Sequence, residues 1–103
     1  MNILITGGLG FIGKHLSTRL ASLGNKVFII DKPQQKVPPD LNFYGIDISC
    51  KESVLSFNED VDLIIHAAAQ STGYYSQIDH VNDCLCNSLG TINICSLARK
   101  LQV

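Results

Sequence analysis

The sequence predicts an α/β protein built on a doubly wound parallel β-sheet with helices on both faces. Three observations carry this expectation. Four short apolar runs each read as a buried strand, stretches between them repeat apolar residues every three or four positions, and a glycine cluster directly follows the first run. Continuous apolar strands belong to sheets covered on both sides, and their alternation with helices implies right-handed parallel crossovers.

The first run, Asn2 to Thr6, is too short for a helix and rich in Ile and Leu, which suits a strand. Between Gly10 and Gly24 the apolar positions Ile12, Leu16, Leu20 and Leu23 lie on one side of a helical wheel, with Lys14, Ser17, Thr18 and Arg19 elsewhere. Gly24 suits the left-handed residue that closes such a helix. Lys26 to Asp31 (KVFIID) is the second strand and stops at an acid. Residues 32–40 contain Pro33, Pro38 and Pro39, which remove backbone donors and make this segment a loop.

Leu41 to Ile46 is a weaker third strand, interrupted by Asn42 and Gly45. A short helix is expected over Lys51 to Asn58 and a fourth strand over Val61 to His66. Ala67, Ala68 and Ala69 then allow the backbone to come close to something. No site is drawn from Gly73-Tyr74-Tyr75-Ser76. A long helix is expected from about Ile78 to Leu101, marked by Val81, Leu85, Leu89, Ile92, Cys95 and Ala98, with Arg99 and Lys100 favourably placed near its C-terminus. This order is the first half of a Rossmann-type fold: strand order 3-2-1-4, three layers α/β/α, and a ligand crevice where the first and fourth strands diverge.

Composition narrows the function. The 103 residues are one domain's worth of chain, 1–103, and leave no room for a separate substrate domain. Eight basic against nine acidic residues, a net charge of −1, give no electrostatic footprint for nucleic acid or an anionic membrane surface. The N-terminal residues lack a basic segment and their apolar run is soon cut by glycines, so neither a signal peptide nor a transmembrane helix is expected and a cytoplasmic address follows. Cys50, Cys84, Cys86 and Cys95 contain no C-x-x-C pair, and His15, His66 and His80 form no cluster at ligand spacing, so no metal site is expected.

The chemistry lies in Gly7-Gly8-Leu9-Gly10-Phe11-Ile12-Gly13, which satisfies both G-x-G-x-x-G and G-x-x-G-x-x-G between a strand and a helix. An early glycine permits the tight turn, Gly10 lets backbone N–H groups approach a pyrophosphate, and Gly13 lets the helix pack closely on the strand. The anion would rest on the helix N-terminus. Asp31 ends the next strand eighteen positions after Gly13, near the interval of about 20 expected for the acid that accepts from a ribose diol. A carboxylate there repels a 2′-phosphate, so NAD is favoured over NADP, although the neighbouring Lys32 could receive that phosphate.

With these residues in place the sequence resembles the extended short-chain dehydrogenase/reductases, in particular the NAD-dependent epimerase/dehydratase group acting on nucleotide sugars. The matching strings are Thr6-Gly7-Gly8-Leu9-Gly10-Phe11-Ile12-Gly13, Asp31, Asp47-Ile48, His66-Ala67-Ala68-Ala69-Gln70 and Asn87-Ser88-Leu89-Gly90-Thr91-Ile92-Asn93, in family order along the whole chain. The resemblance implies that Phe11 and Ile12 line the pyrophosphate turn, that Asp47 and Ile48 flank the adenine, and that Ala67 to Ala69 pass beneath the nicotinamide-side ribose. Read from the residues alone, Asp47 could equally cap its loop and the alanines could serve helix–sheet packing. Asn87, an indifferent helix former in mid-helix, suggests an amide bridging to a neighbouring strand or loop near the cofactor, or else a solvent-facing polar residue. Asp79 is followed by His80 where many relatives carry proline.

The resemblance also implies a catalytic Tyr whose pKa is lowered by a Lys four residues later. Tyr44, Tyr74 and Tyr75 are followed at that spacing by Ile48, Ile78 and Asp79, so no catalytic residue is assigned here. The expectation is therefore the N-terminal, cofactor-holding part of a longer enzyme, truncated before its catalytic half, with the nucleotide sugar and any homodimer belonging to that parent. A non-catalytic dinucleotide-binding or sensing module, or an inactive fragment, stays open as the alternative. Titration is expected to show NAD(H) binding more tightly than NADP(H), with Asp31→Ala narrowing the gap; tighter NADP(H) binding by the unmodified chain overturns the cofactor assignment.

Overall fold

The computed structural model describes residues 1–103, apart from the side chain of Tyr75. Strands β1 (Asn2–Thr6), β2 (Lys26–Asp31), β3 (Asn42–Gly45) and β4 (Leu63–His66) form one parallel sheet in the order β3-β2-β1-β4, as the sequence predicts. Thr6 stands level with Ile30 on one side and His66 on the other, so the C-terminal ends of the adjacent strands β2, β1 and β4 open together onto one edge.

Alternate residues of each strand face opposite layers. Leu4, Phe28 and Ile30 point to one face and join Ile46, Ile48, Val54, Phe57, Val61, Ile94 and Leu97 in the main core. Helices α2 (Lys51–Ser56) and α5 (Gly90–Leu101) cover this face. Ile3, Ile5 and Ile29 are buried on the other, where α1 (Phe11–Ser22) lies against β1 and β2. The main core is pinned by three rings: Phe57 meets Phe28 at 6.0 Å and Tyr44 at 4.9 Å, both edge to face. Tyr44 Oη donates to Glu59 Oε1 at 2.6 Å. That bond, with burial and the carboxylate's charge, pushes its pKa up to about 12.

Polar groups close the element ends. Gly24, at φ +85°, follows α1 as expected; its N–H donates to Ala21 O at 2.9 Å and that of Asn25 to Leu20 O at 3.2 Å, which satisfies two terminal carbonyls. Lys100 Nζ reaches from α5 to the end of α2 and donates to Leu55 O at 2.7 Å and Phe57 O at 3.2 Å. No helix among the described residues is long and apolar enough to cross a membrane.

The structure corrects several sequence expectations. The segment from Ile78 to Leu101 is not one α-helix. Gly73–Ile78 forms a separate helix, α3, and the chain restarts as α4 (His80–Cys84), N-capped by Asp79, whose side chain accepts the Asn82 N–H at 2.9 Å. A π-helical turn, Leu85–Leu89, then leads into α5. The apolar stripe that marked this helix lies on its outer side, with Val81 70% and Ile92 60% exposed. The face against the sheet is Gly90, Asn93, Ile94 and Leu97. The helix is apolar on two sides, and a buried asparagine disguises the inner one.

A similar shift occurs in α1, where Ile12 and Leu23 are exposed and the buried residues are Gly13 and Ser17. These small residues let the helix approach closely, so they take the seam and Leu16 and Leu20 flank it, half-buried. Strands β1 and β2 have the expected bounds, while the two edge strands β3 and β4 and helix α2 are each two residues shorter than expected, because ends fray where fewer neighbours pair. Phe57→Ala, which empties the centre of the ring cluster, is expected to destabilise the fold by about 3–5 kcal/mol, measured as a lowered midpoint in urea unfolding.

Candidate functional site

The turn from β1 to α1 is built on contacts that only glycine permits. Gly7 has φ +68°, and a Cβ there would lie 2.7 Å from the Cα and N of Ala68. A Cβ on Gly8 would enter the side chain of Ile29 on β2, and one on Gly13 would overlap Gly7 O and stand 2.7 Å from Gly8 Cα. Gly8 thus packs the turn on the sheet, while Gly13 packs the helix on the turn itself rather than on the strand. The Gly7 N–H donates to Ile30 O at 2.8 Å and the Gly10 N–H to Gly7 O at 3.1 Å.

Lys14 N–H to Gly10 O, 2.9 Å, is the first bond of α1, so the N–H groups of Phe11, Ile12 and Gly13 precede it at the helix end. Gly10 offers them no capping side chain, and the first turn carries no acid. An anion would therefore meet unopposed donors and the positive end of the helix dipole. Asp31 holds this turn from β2: its Oδ2 accepts the Leu9 N–H at 2.9 Å and its Oδ1 the Lys32 N–H at 2.8 Å. A carboxylate has further lone pairs for a ligand.

These groups share one cavity of about 530 Å³ at the C-terminal edge of the sheet. Gly7, Gly10, Phe11, Ile12, Gly13, Asp31, Lys32, Ile48, Ala67, Ala68 and Ala69, all singled out from sequence, line it. Phe11 stands 84% exposed at its mouth, its ring 4.9 Å from that of His15. Ile46, Gln70, Ser71, Thr72 and Cys86 also line it and were missed. Three of these continue the alanine run, which is the signal that could have found them; Cys86 arrives through the π turn, which has none.

Asp47 and Asn87 do not line the cavity. Asp47 is exposed and its Oδ1 accepts the Ser49 N–H at 2.9 Å and the Ser49 hydroxyl at 2.8 Å. These bonds, backbone first, and the charge of Lys32 hold its carboxyl below the usual range. Asn87 sits behind the wall. Its Oδ1 accepts the Gln70 N–H at 2.7 Å, and its Nδ2 donates to Gln70 O and to Asp83 Oδ1, both at 3.0 Å. The amide bridges helix and loop, the first of its two expected roles. Buried Asn93 does the same for the other wall, donating from Nδ2 to Ile48 O at 2.8 Å.

The model of the NAD dependent epimerase/dehydratase family matches residues 3–103. A protein of Methanocaldococcus jannaschii provisionally named UDP-glucose 4-epimerase is 37% identical over 106 residues, covering 98% of this chain and 35% of that protein. Among solved structures, the UDP-glucose 4-epimerase of Thermus thermophilus, in complex with NAD, matches the whole chain with a TM-score of 0.86 and 32% identity, covering 35% of that chain. The UDP-glucose 4-epimerase of Thermotoga maritima, with UDP-glucose, matches with a TM-score of 0.90 at 28% identity, also over 35% of its length. The chain thus spans about a quarter to a third of the curated relatives it matches.

Gly13→Ala is expected to destabilise the fold by about 1–3 kcal/mol, since the new methyl meets backbone that cannot yield without moving the turn. Gly10→Ala, whose Cβ would stand 3.3 Å from Gly7 O, is expected to cost less. Urea unfolding of the two variants checks the order.

Proposed function

The chain belongs to the NAD-dependent epimerase/dehydratase family, and from that premise we propose that it holds NAD in the cavity at the sheet's C-terminal edge, as part of an enzyme that moves a hydride between a nucleotide-sugar carbon and the nicotinamide. The observation that carries the reading is the cavity itself. A helix N-terminus free of acids, a carboxylate at the end of β2 and a small-residue wall after β4 line one continuous space. Glycines keep that space clear where any Cβ would close the turn.

When bound, the dinucleotide supplies the hydride acceptor and donor. The first-turn N–H groups of α1 hold the pyrophosphate and offset its charge, with the backbone of Phe11 and Ile12 along it. Asp31 accepts from the ribose hydroxyls, and its charge disfavours a 2′-phosphate beside Lys32. Ile48 packs against the adenine, and Asp47, with Oδ1 engaged by Ser49, offers Oδ2 to the amino group. Ala67 to Ala69 leave room for the nicotinamide-side ribose, and Asn87 fixes that segment from behind through Gln70. The 103 residues contain no Tyr-x-x-x-Lys, so in this reading the proton-transferring groups and the sugar site come from elsewhere in a longer protein.

Calorimetric titration with NAD is expected to show one saturable site, weakened at least about tenfold in Gly13→Ala. No turnover of a nucleotide sugar is expected from these residues alone. Failure to bind NAD overturns the dinucleotide reading, and turnover by the 103-residue chain overturns the division of labour.

A further inference from the structure

We propose that His66 is a positioning residue for the dinucleotide cradle: fixed as one neutral tautomer between Thr6 and Thr91, it holds the Ala67–Ala69 wall in place, and protonation of its ring releases that wall and weakens dinucleotide binding. The inference rests on the reading that the cavity takes NAD.

The hydrogens around this ring can be assigned one by one. Thr91 Oγ1 donates its single hydrogen to Asn87 O at 2.7 Å, so toward His66 Nε2, 3.1 Å away, it accepts. Nε2 therefore carries the ring hydrogen. Nδ1 is then an acceptor and receives the hydroxyl of Thr6 at 2.6 Å. Thr6 Oγ1 in turn accepts the Ala68 N–H at 3.2 Å. One directed chain thus runs from the middle of the alanine wall, through the last residue of β1 and the last residue of β4, to the carbonyl of the π turn.

Protonation breaks the direction of this chain. A second ring hydrogen on Nδ1 faces the hydrogen of the Thr6 hydroxyl, which must turn away. Thr6 is fully buried, so its hydroxyl cannot turn to water in place of the ring. The groups facing the imidazole are the Thr6 hydroxyl from β1, the Ala68 segment, and Thr91 with the Asn87 carbonyl behind it; none is charged. Burial alone lowers the basicity of the ring, and no carboxylate offsets the cation. Ala68 is also the residue on which Gly7 rests, so a shift there reaches the pyrophosphate turn as well.

The sign follows. The competent form is the neutral one, so affinity is already full at the ordinary histidine value of about 6.5 and falls as the pH drops through the lower value that burial gives this ring. By reciprocity, bound NAD lowers the pKa of His66 further. Calorimetry on the full chain with NAD is expected to give an affinity about tenfold weaker near pH 5 than near pH 8, and a change below about twofold in His66→Gln, which cannot titrate. An equal fall in both proteins overturns the inference while leaving NAD binding intact. Absence of NAD binding at pH 8 removes the reading beneath it and the inference with it. Should His66→Gln fail to fold, nitrogen-15 NMR of the unmodified ring decides. An Nε2–H tautomer whose pKa drops on adding NAD supports the assignment, and an Nδ1–H tautomer or a pKa indifferent to NAD overturns it.

Discussion

At Gly7 and Ala68 two backbones meet with no space for a side chain between them. The rest of the site depends on this contact. Gly7, directly after β1, takes a left-handed conformation, which turns the chain sharply enough for α1 to begin four residues beyond. Ala68 brings the exit of β4 against that turn, so the crevice between the two strands opens at the mouth and stays closed at its root. Were either backbone displaced by the width of a methyl group, the N-terminal end of α1 would swing relative to the carboxylate of Asp31 and the alanine wall. Close packing here sets a geometry that hydrogen bonds then preserve.

Those bonds have a common form, a side chain on one element gripping the backbone of another. Asp31 holds Leu9, Asn87 holds Gln70, Asn93 holds Ile48 and Lys100 holds the end of α2. Each is worth about 1 kcal/mol net, and more where its loss would strand a buried partner. The first three order the loops around the cavity without filling it. Asp31 thus both lines the cavity and anchors the turn beside it.

The fold was legible because it is written in short-range signals. Apolar runs, a glycine-rich turn and the acid at the end of β2 each report a local requirement, and the strand order is the usual one for half of a doubly wound sheet. What the sequence concealed was which side of a helix is inner. In α1 the seam belongs to Gly13 and Ser17, and in α5 to a face containing Asn93, so the apolar stripe legible in the sequence flanks the inner face of the first helix and lies on the outer side of the second. Asp47 and Asn87 show the same limit in the site. Their residue types announce a polar duty, but whether the partner is a loop or a cavity depends on the path of segments distant in sequence.

The π turn at Leu85–Leu89 gives this helix a phase problem and its solution. Each residue of an α-helix advances the side chains by about 100°, and a π turn slips one residue into that count. Before the turn, Asn82 must face the Gln70 loop; after it, Asn93, Ile94 and Leu97 must face the sheet. The additional residue acts as a phase shifter that lets one rod serve two surfaces that no uninterrupted α-helical register would align. Its length in residues is therefore as constrained as its composition: a single deletion there would leave the helix intact and rotate one of its two halves out of register with what it holds.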